Sequence, residues 1–97
     1  MTKQEIQAAW DRHQREDWPV FSSPHQGHLM TLDTVISGCV TYYLDNPDGL
    51  DDRRIAVLKD CLTELATVIE ELDPVPLAYF IRLRQLGELL LQTATTR

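Results

Sequence analysis

The chain has 97 residues and a formal net charge of −6, with 43% hydrophobic and 25% charged residues. This length and balance predict one globular domain spanning 1–97 rather than a disordered chain. The acidic total argues against general nucleic-acid binding and against docking on anionic lipid, because both require a basic surface.

The first helix is predicted from Thr2 to about Glu16. Thr2 and Glu5 have the spacing of a capping box, in which each side chain bonds the other residue's free backbone N–H. An apolar face follows at i, i+3, i+4 and i+7, formed by Ile6, Ala9, Trp10 and His13. The extended connector 18–24 contains Trp18, Val20 and Phe21, so we expect it to cover part of the core.

The second helix is predicted to start with Ser23 as N-cap and Pro24 in the first turn. Its apolar stripe runs to Leu44. Gly38 lies inside this helix, where glycine costs about 1 kcal/mol relative to alanine. We therefore expect close helix contact at Gly38, or space for a ligand. The Asp- and Gly-rich segment 45–49 is a strong turn signal.

The third helix carries a heptad seam, and the side chains on one flank widen its buried face. The seam is formed by Ile55, Leu58, Leu62, Leu65, Ile69 and Leu72, and the flank by Val57, Cys61 and Val68. The fourth helix, 76–93, is apolar around most of its circumference, apart from a narrow stripe of Arg82, Gln85, Glu88 and Gln92. Such a helix is central to a fold or buried in an oligomer, which predicts a homodimer through 76–93.

These elements predict an all-α protein, with an antiparallel three-helix core and a shorter N-terminal helix packed across it. No apolar run approaches the roughly 20 residues of a membrane span, and no secretory signal is recognisable. Cys39 and Cys61 lack CxxC spacing and are interpreted as buried side chains in a reducing cytoplasm. Whether they form a disulfide stays open.

Metal and calcium sites are weakly indicated. His25 and His28 share a helical face, but a third ligand would have to come from elsewhere in the chain. Around Gly49, the calcium-loop register places Leu44 and Ile55 at ligand positions, where neither can bind. We predict that this acidic turn instead caps the third helix, and we predict no metal site or cofactor.

Catalytic motifs are not recognisable, so the sequence predicts a protein that is not an enzyme. Glycine-rich phosphate loops and GxSxG are missing, and the cysteines lie in or beside apolar faces, where thiolate is disfavoured. The alternative is a small-molecule or metal-binding module, with a site between helices near Gly38, Tyr42 and Trp10/Trp18.

The charge distribution carries the leading hypothesis. Residues 26–75 contain ten acidic side chains against three basic ones, a net of −7. Asp60, Glu64 and Glu71 recur at i, i+4 and i+11, with Glu70 alongside. This pattern predicts an acidic surface that binds another, basic protein, so that the chain acts as an adaptor, an inhibitor or an immunity-type partner. The simpler interpretation is a solvated face that keeps the protein soluble.

Overall fold

The computed structural model describes residues 3–19, 22–46 and 48–95. Within these ranges the secondary structure is helical and contains no strand, which confirms the all-α prediction. The elements are α1 (Lys3–Arg15), α2 (Gln26–Asp45), α3 (Asp52–Val68), a 3₁₀ turn (Ile69–Glu71) and α4 (Pro74–Thr95).

Successive helices run antiparallel. Lys3 at the start of α1 donates to the carbonyl of Asn46, just past the end of α2. Arg54, near the start of α3, stacks on Tyr42 near the end of α2. The shorter α1 packs on α2 and α4, as predicted, whereas α1 and α3 do not contact each other. These two helices therefore lie on opposite sides of the layer that α2 and α4 form.

The core follows the predicted stripes closely. In the α3 seam, Leu58, Leu62, Leu65 and Ile69 are buried. The prediction that Val57 is buried is wrong, since this residue is 38% exposed. Cys61, one turn further along the same flank, is buried as predicted. The four residues of the polar stripe on α4 are all exposed, as predicted.

The wide apolar surface of α4 is used inside the chain, because α1, α2 and α3 all pack against this helix. It is thus central to the fold. Leu90 is completely buried, and Leu89 and Leu91 are partly buried. Within the described residues no helix has the length and hydropathy that crossing a membrane requires.

The helix boundaries have local chemical causes. Asp51 caps α3 by accepting a hydrogen bond from the backbone N–H of Arg54 at 2.8 Å, which confirms the predicted capping role of the acidic turn. This bond lowers the pKa of the Asp51 carboxyl. The start of α2 differs from the prediction: Ser23 Oγ accepts from the backbone N–H of His25, and the helix begins at Gln26.

The connector between α1 and α2 begins on the surface of the core, as predicted. The ring of Trp18 contacts Tyr79 and Phe80 edge-on, with both centroids at 5.5 Å. Pro19 is buried beside it. Val20 and Phe21, as well as the Thr2 side of the predicted capping box, lie outside the described residues.

The glycine of close helix contact is Gly87, so the prediction of close helix contact at Gly38 is wrong. A Cβ on Gly87 would lie 2.6 Å from Leu62 Cδ2 and 3.4 Å from Ile36 Cγ2. Gly38 is exposed, and its Cβ would meet nothing within 4 Å. The reason is helical geometry: at 100° per residue, Gly38 lies about 200° around α2 from the buried Ile36.

Gly38→Ala is expected to raise the free energy of unfolding by about 0.5–1 kcal/mol, because alanine restricts the unfolded chain and fits the open space. Urea denaturation measures the change. Gly87→Ala is the matched control. It should raise the free energy of unfolding by less than Gly38→Ala does, since the added methyl group must displace Leu62. A loss of stability in Gly38→Ala would contradict the open environment of this residue.

Candidate functional site

Four carboxylates form what we call the acidic face: Asp60 and Glu64 on α3, and Glu70 and Glu71 on the 3₁₀ turn. All four residues are exposed. The structure thus places the predicted partner-binding residues together on the outer side of α3 and its extension. No Lys or Arg forms an ion pair with any of them within the described residues.

Two histidines from the start of α2 border the acidic face. His28 Nε2 lies 3.5 Å from Glu64 Oε2, and His25 Nε2 lies 3.3 Å from Glu71 Oε2. The two rings therefore approach different carboxylates instead of converging on one point. In the described part of the chain, no group of three or more His, Cys, Asp or Glu side chains is arranged to hold a metal ion.

On the other side of the molecule, α1 and α4 border a partly open cavity of about 420 Å³, which we call the basic cavity. It is lined by Ala9, Arg12, His13, Arg15, Glu16, Arg82, Gln85, Leu86 and Leu89. Arg82 pairs with Glu16 at 3.1 Å. Neither Arg12 nor Arg15 pairs with an acidic side chain among the described residues.

A polar cluster of His13, Asp33 and Tyr79 lies beside this cavity and joins α1, α2 and α4. The Tyr79 hydroxyl donates to Asp33 Oδ2 at 3.2 Å. His13 Nε2 lies 3.4 Å from the Tyr79 hydroxyl oxygen and 3.5 Å from Asp33 Oδ1. Burial, together with the Asp33 carboxylate, raises the pKa of Tyr79 well above its ordinary value. The hydroxyl therefore stays protonated at neutral pH and keeps its donor role.

The proton arrangement leaves one nitrogen of His13 unpaired. Because the Tyr79 proton points to Asp33, both oxygens near Nε2 are acceptors, and Nε2 carries the ring hydrogen. Nδ1 is buried and has no hydrogen-bond partner in the described ranges of the chain. An unpaired buried polar atom costs about 1–3 kcal/mol, which makes the His13 ring an unusual feature of the fold.

The sequence pattern contains a signal for this cluster, although our sequence analysis missed it. Asp33 lies four residues after Leu29 and three before Ile36, and both leucine and isoleucine are completely buried. A carboxylate on the apolar stripe of a helix needs a partner from another helix. The identity of that partner depends on how the helices pack.

The alternative site near Gly38, Tyr42 and Trp10/Trp18 stays a prediction. The Tyr42 ring stacks on Arg54, and Trp10 lies beside His13, with centroids 5.9 Å apart. None of the four residues lines either of the described cavities.

Both cysteines are buried free thiols, so Cys39 and Cys61 do not form a disulfide in this structure. Burial raises the pKa of both Cys39 and Cys61. The neighbouring carboxylates Glu64 and Asp60 act in the same direction on Cys61. The thiolate form is therefore disfavoured at both positions, and both side chains serve as small members of the core.

No protein-family model, no curated protein and no solved structure matches this chain. Its own contacts and charges are therefore the basis for assigning a function.

Proposed function

We propose that this protein acts by binding another protein without catalysing a reaction, and that the acidic face is its contact surface for a basic partner. The observation that carries the proposal is the set of four exposed carboxylates without a Lys or Arg partner in the described residues. Charges that are not neutralised within the chain produce a negative potential, which attracts and orients a positively charged surface.

The position of the acidic face supports the same proposal. It lies on the outer side of α3, a helix whose inner side packs only on α2 and α4 and on the adjoining 3₁₀ turn. The three arginines of the basic cavity lie toward α1, on the other side of the molecule. This separation gives the protein a strong negative side, and a partner with clustered Lys or Arg would be steered toward it.

Charge reversal on the acidic face tests this function. The wild-type protein is immobilised and the proteins from the native host that it retains are identified, and an Asp60→Lys, Glu64→Lys, Glu71→Lys variant is prepared for comparison. One purified candidate is then measured by calorimetry at several salt concentrations. We expect the variant to bind about 100-fold more weakly, since three attractive charges become repulsive, and wild-type affinity to fall with salt.

The matched control is Asp17→Lys, Asp45→Lys, Asp48→Lys, which changes the net charge equally at three exposed positions outside the acidic face. This control should bind within about threefold of the wild type. Circular dichroism verifies that both variants keep their helices. Affinity that does not depend on salt and survives reversal of the acidic face would overturn the proposal.

Two further expectations belong to this proposal. A cytoplasmic location fits the two free cysteines, because reducing compartments keep thiols unpaired. A homodimer through 76–93 stays a prediction; Val75 and Ile81, which are 72% and 39% exposed, are the apolar side chains that α4 offers. Light scattering at high protein concentration distinguishes a dimer from a monomer.

A further inference from the structure

The basic cavity combines charged walls with an apolar floor. Arg12 and Arg15 come from α1, Arg82 comes from α4, and Ala9, Leu86 and Leu89 supply the apolar surface. Its volume of about 420 Å³ lies within the range of small-molecule sites, roughly 300–1,000 Å³. The site is independent of the acidic face, so nothing in the function proposed above requires it.

The charges of the cavity favour an anion. Three guanidinium groups line it, and Glu16 is the only carboxylate among its lining residues. Because Glu16 pairs with Arg82, the unpaired charge is that of Arg12 and Arg15. The lining of the cavity therefore has an excess of two positive charges, although the whole chain has a net charge of −6. Guanidinium groups match the planar geometry of a carboxylate and donate two parallel hydrogen bonds to it.

The buried His13 ring supplies a second, independent feature. His13 lines the cavity and is 8% exposed, and its Nδ1 has no partner within the described residues. Its other nitrogen is fixed by Tyr79 and Asp33. The ring is therefore a buried part of the cavity wall whose position is set by contacts with α2 and α4.

We propose that the basic cavity binds a small carboxylic acid with an apolar body. Arg12 and Arg15 bind the carboxylate, the Gln85 amide offers a further donor, and Leu86 and Leu89 contact the apolar body. A free inorganic anion would leave this apolar floor uncovered. The apolar floor therefore favours an organic acid.

The test uses 2-naphthoate as the probe and 2-naphthamide as its uncharged analogue of nearly equal size. Titration of each into the intact chain is followed by calorimetry and by amide and histidine ring chemical shifts. We expect saturable binding of naphthoate, with shifts in α1, α4 and the His13 ring. The amide should bind about tenfold more weakly, because it has no negative charge and only one acceptor oxygen for the two guanidinium groups.

Arg12→Gln, Arg15→Gln removes two exposed charges and is expected to weaken naphthoate binding by about tenfold or more. Arg53→Gln, Lys59→Gln makes the same change in net charge on the distant α3 and should stay within about twofold of the wild type. The proposal is overturned if naphthamide binds as well as naphthoate, if the two double variants behave alike, or if no saturable binding occurs up to the solubility limit of the probe.

Discussion

Truncation of Phe80 to alanine is expected to lower the free energy of unfolding by about 3–5 kcal/mol, the largest effect that we predict for a single substitution. Phe80 lies in the first half of α4, is completely buried and is the largest of the fully buried side chains. Its ring also contacts Trp18 and Tyr79, at centroid distances of 5.5 and 5.0 Å. Alanine would leave a cavity and remove the surface against which the connector packs.

The size of this loss matters because a domain of this length has a free energy of unfolding of about 5–15 kcal/mol. Ile81→Ala is the matched control, one residue further along the same helix, where the side chain is 39% exposed. Ile81→Ala should lower the free energy of unfolding by about 1 kcal/mol or less. Urea denaturation, followed by Trp fluorescence and by circular dichroism, measures both variants. Equal costs for Phe80→Ala and Ile81→Ala would show that α4 is rotated differently in the core.

The second large effect concerns alkaline pH. Tyr79 has a raised pKa in the folded protein, mainly because of burial and then because of Asp33, whereas the unfolded chain has a pKa near 10.0. Below pH 10 both states keep the proton, and the full stabilisation is present. Above pH 10 the unfolded chain loses the proton first, so the free energy of unfolding falls by up to about 1.4 kcal/mol per pH unit until the folded state ionises too.

Tyr79→Phe isolates this contribution. At pH 7 we expect the variant to be less stable than the wild type by about 1–3 kcal/mol, because Asp33 and His13 lose their shared hydroxyl. Between pH 10 and 11 this difference should shrink by about 1 kcal/mol, since phenylalanine has no proton to lose. Tyr43→Phe, which removes a hydroxyl without a hydrogen bond in the described residues, controls for general effects of the substitution. A difference that stays constant with pH would contradict the buried, protonated hydroxyl.

The secondary structure could be predicted because its causes are local. The heptad seam of α3 and the polar stripe of α4 are properties of one helix each, and the cap at Asp51 joins residues three positions apart. Side chains at these spacings meet whenever a helix forms, whatever it packs against. The acidic face is predictable for the same reason, as Asp60, Glu64 and Glu71 fall on one side of one continuous segment.

The glycines show what a single helix specifies and what it leaves open. Gly38 and Gly87 both lie inside helices, yet Gly38 is open to solvent and Gly87 lies where α2 and α3 approach α4. The buried stripe of each helix indicates which glycine faces inward. How closely a neighbouring side chain approaches depends on the distance between helix axes, which no single helix specifies.

Four amphipathic helices, their turns and the position of the negative charges follow from local sequence patterns. The meeting of His13, Asp33 and Tyr79 depends instead on how the helices pack, and so does the cavity that three arginines from α1 and α4 share. The members of the polar cluster are 20 to 66 residues apart, and although the place of Asp33 on an apolar stripe calls for a partner, its own helix does not specify which residue that is. Their contacts arise from the rotation and crossing of packed helices, which burial of the whole core fixes and local spacing does not.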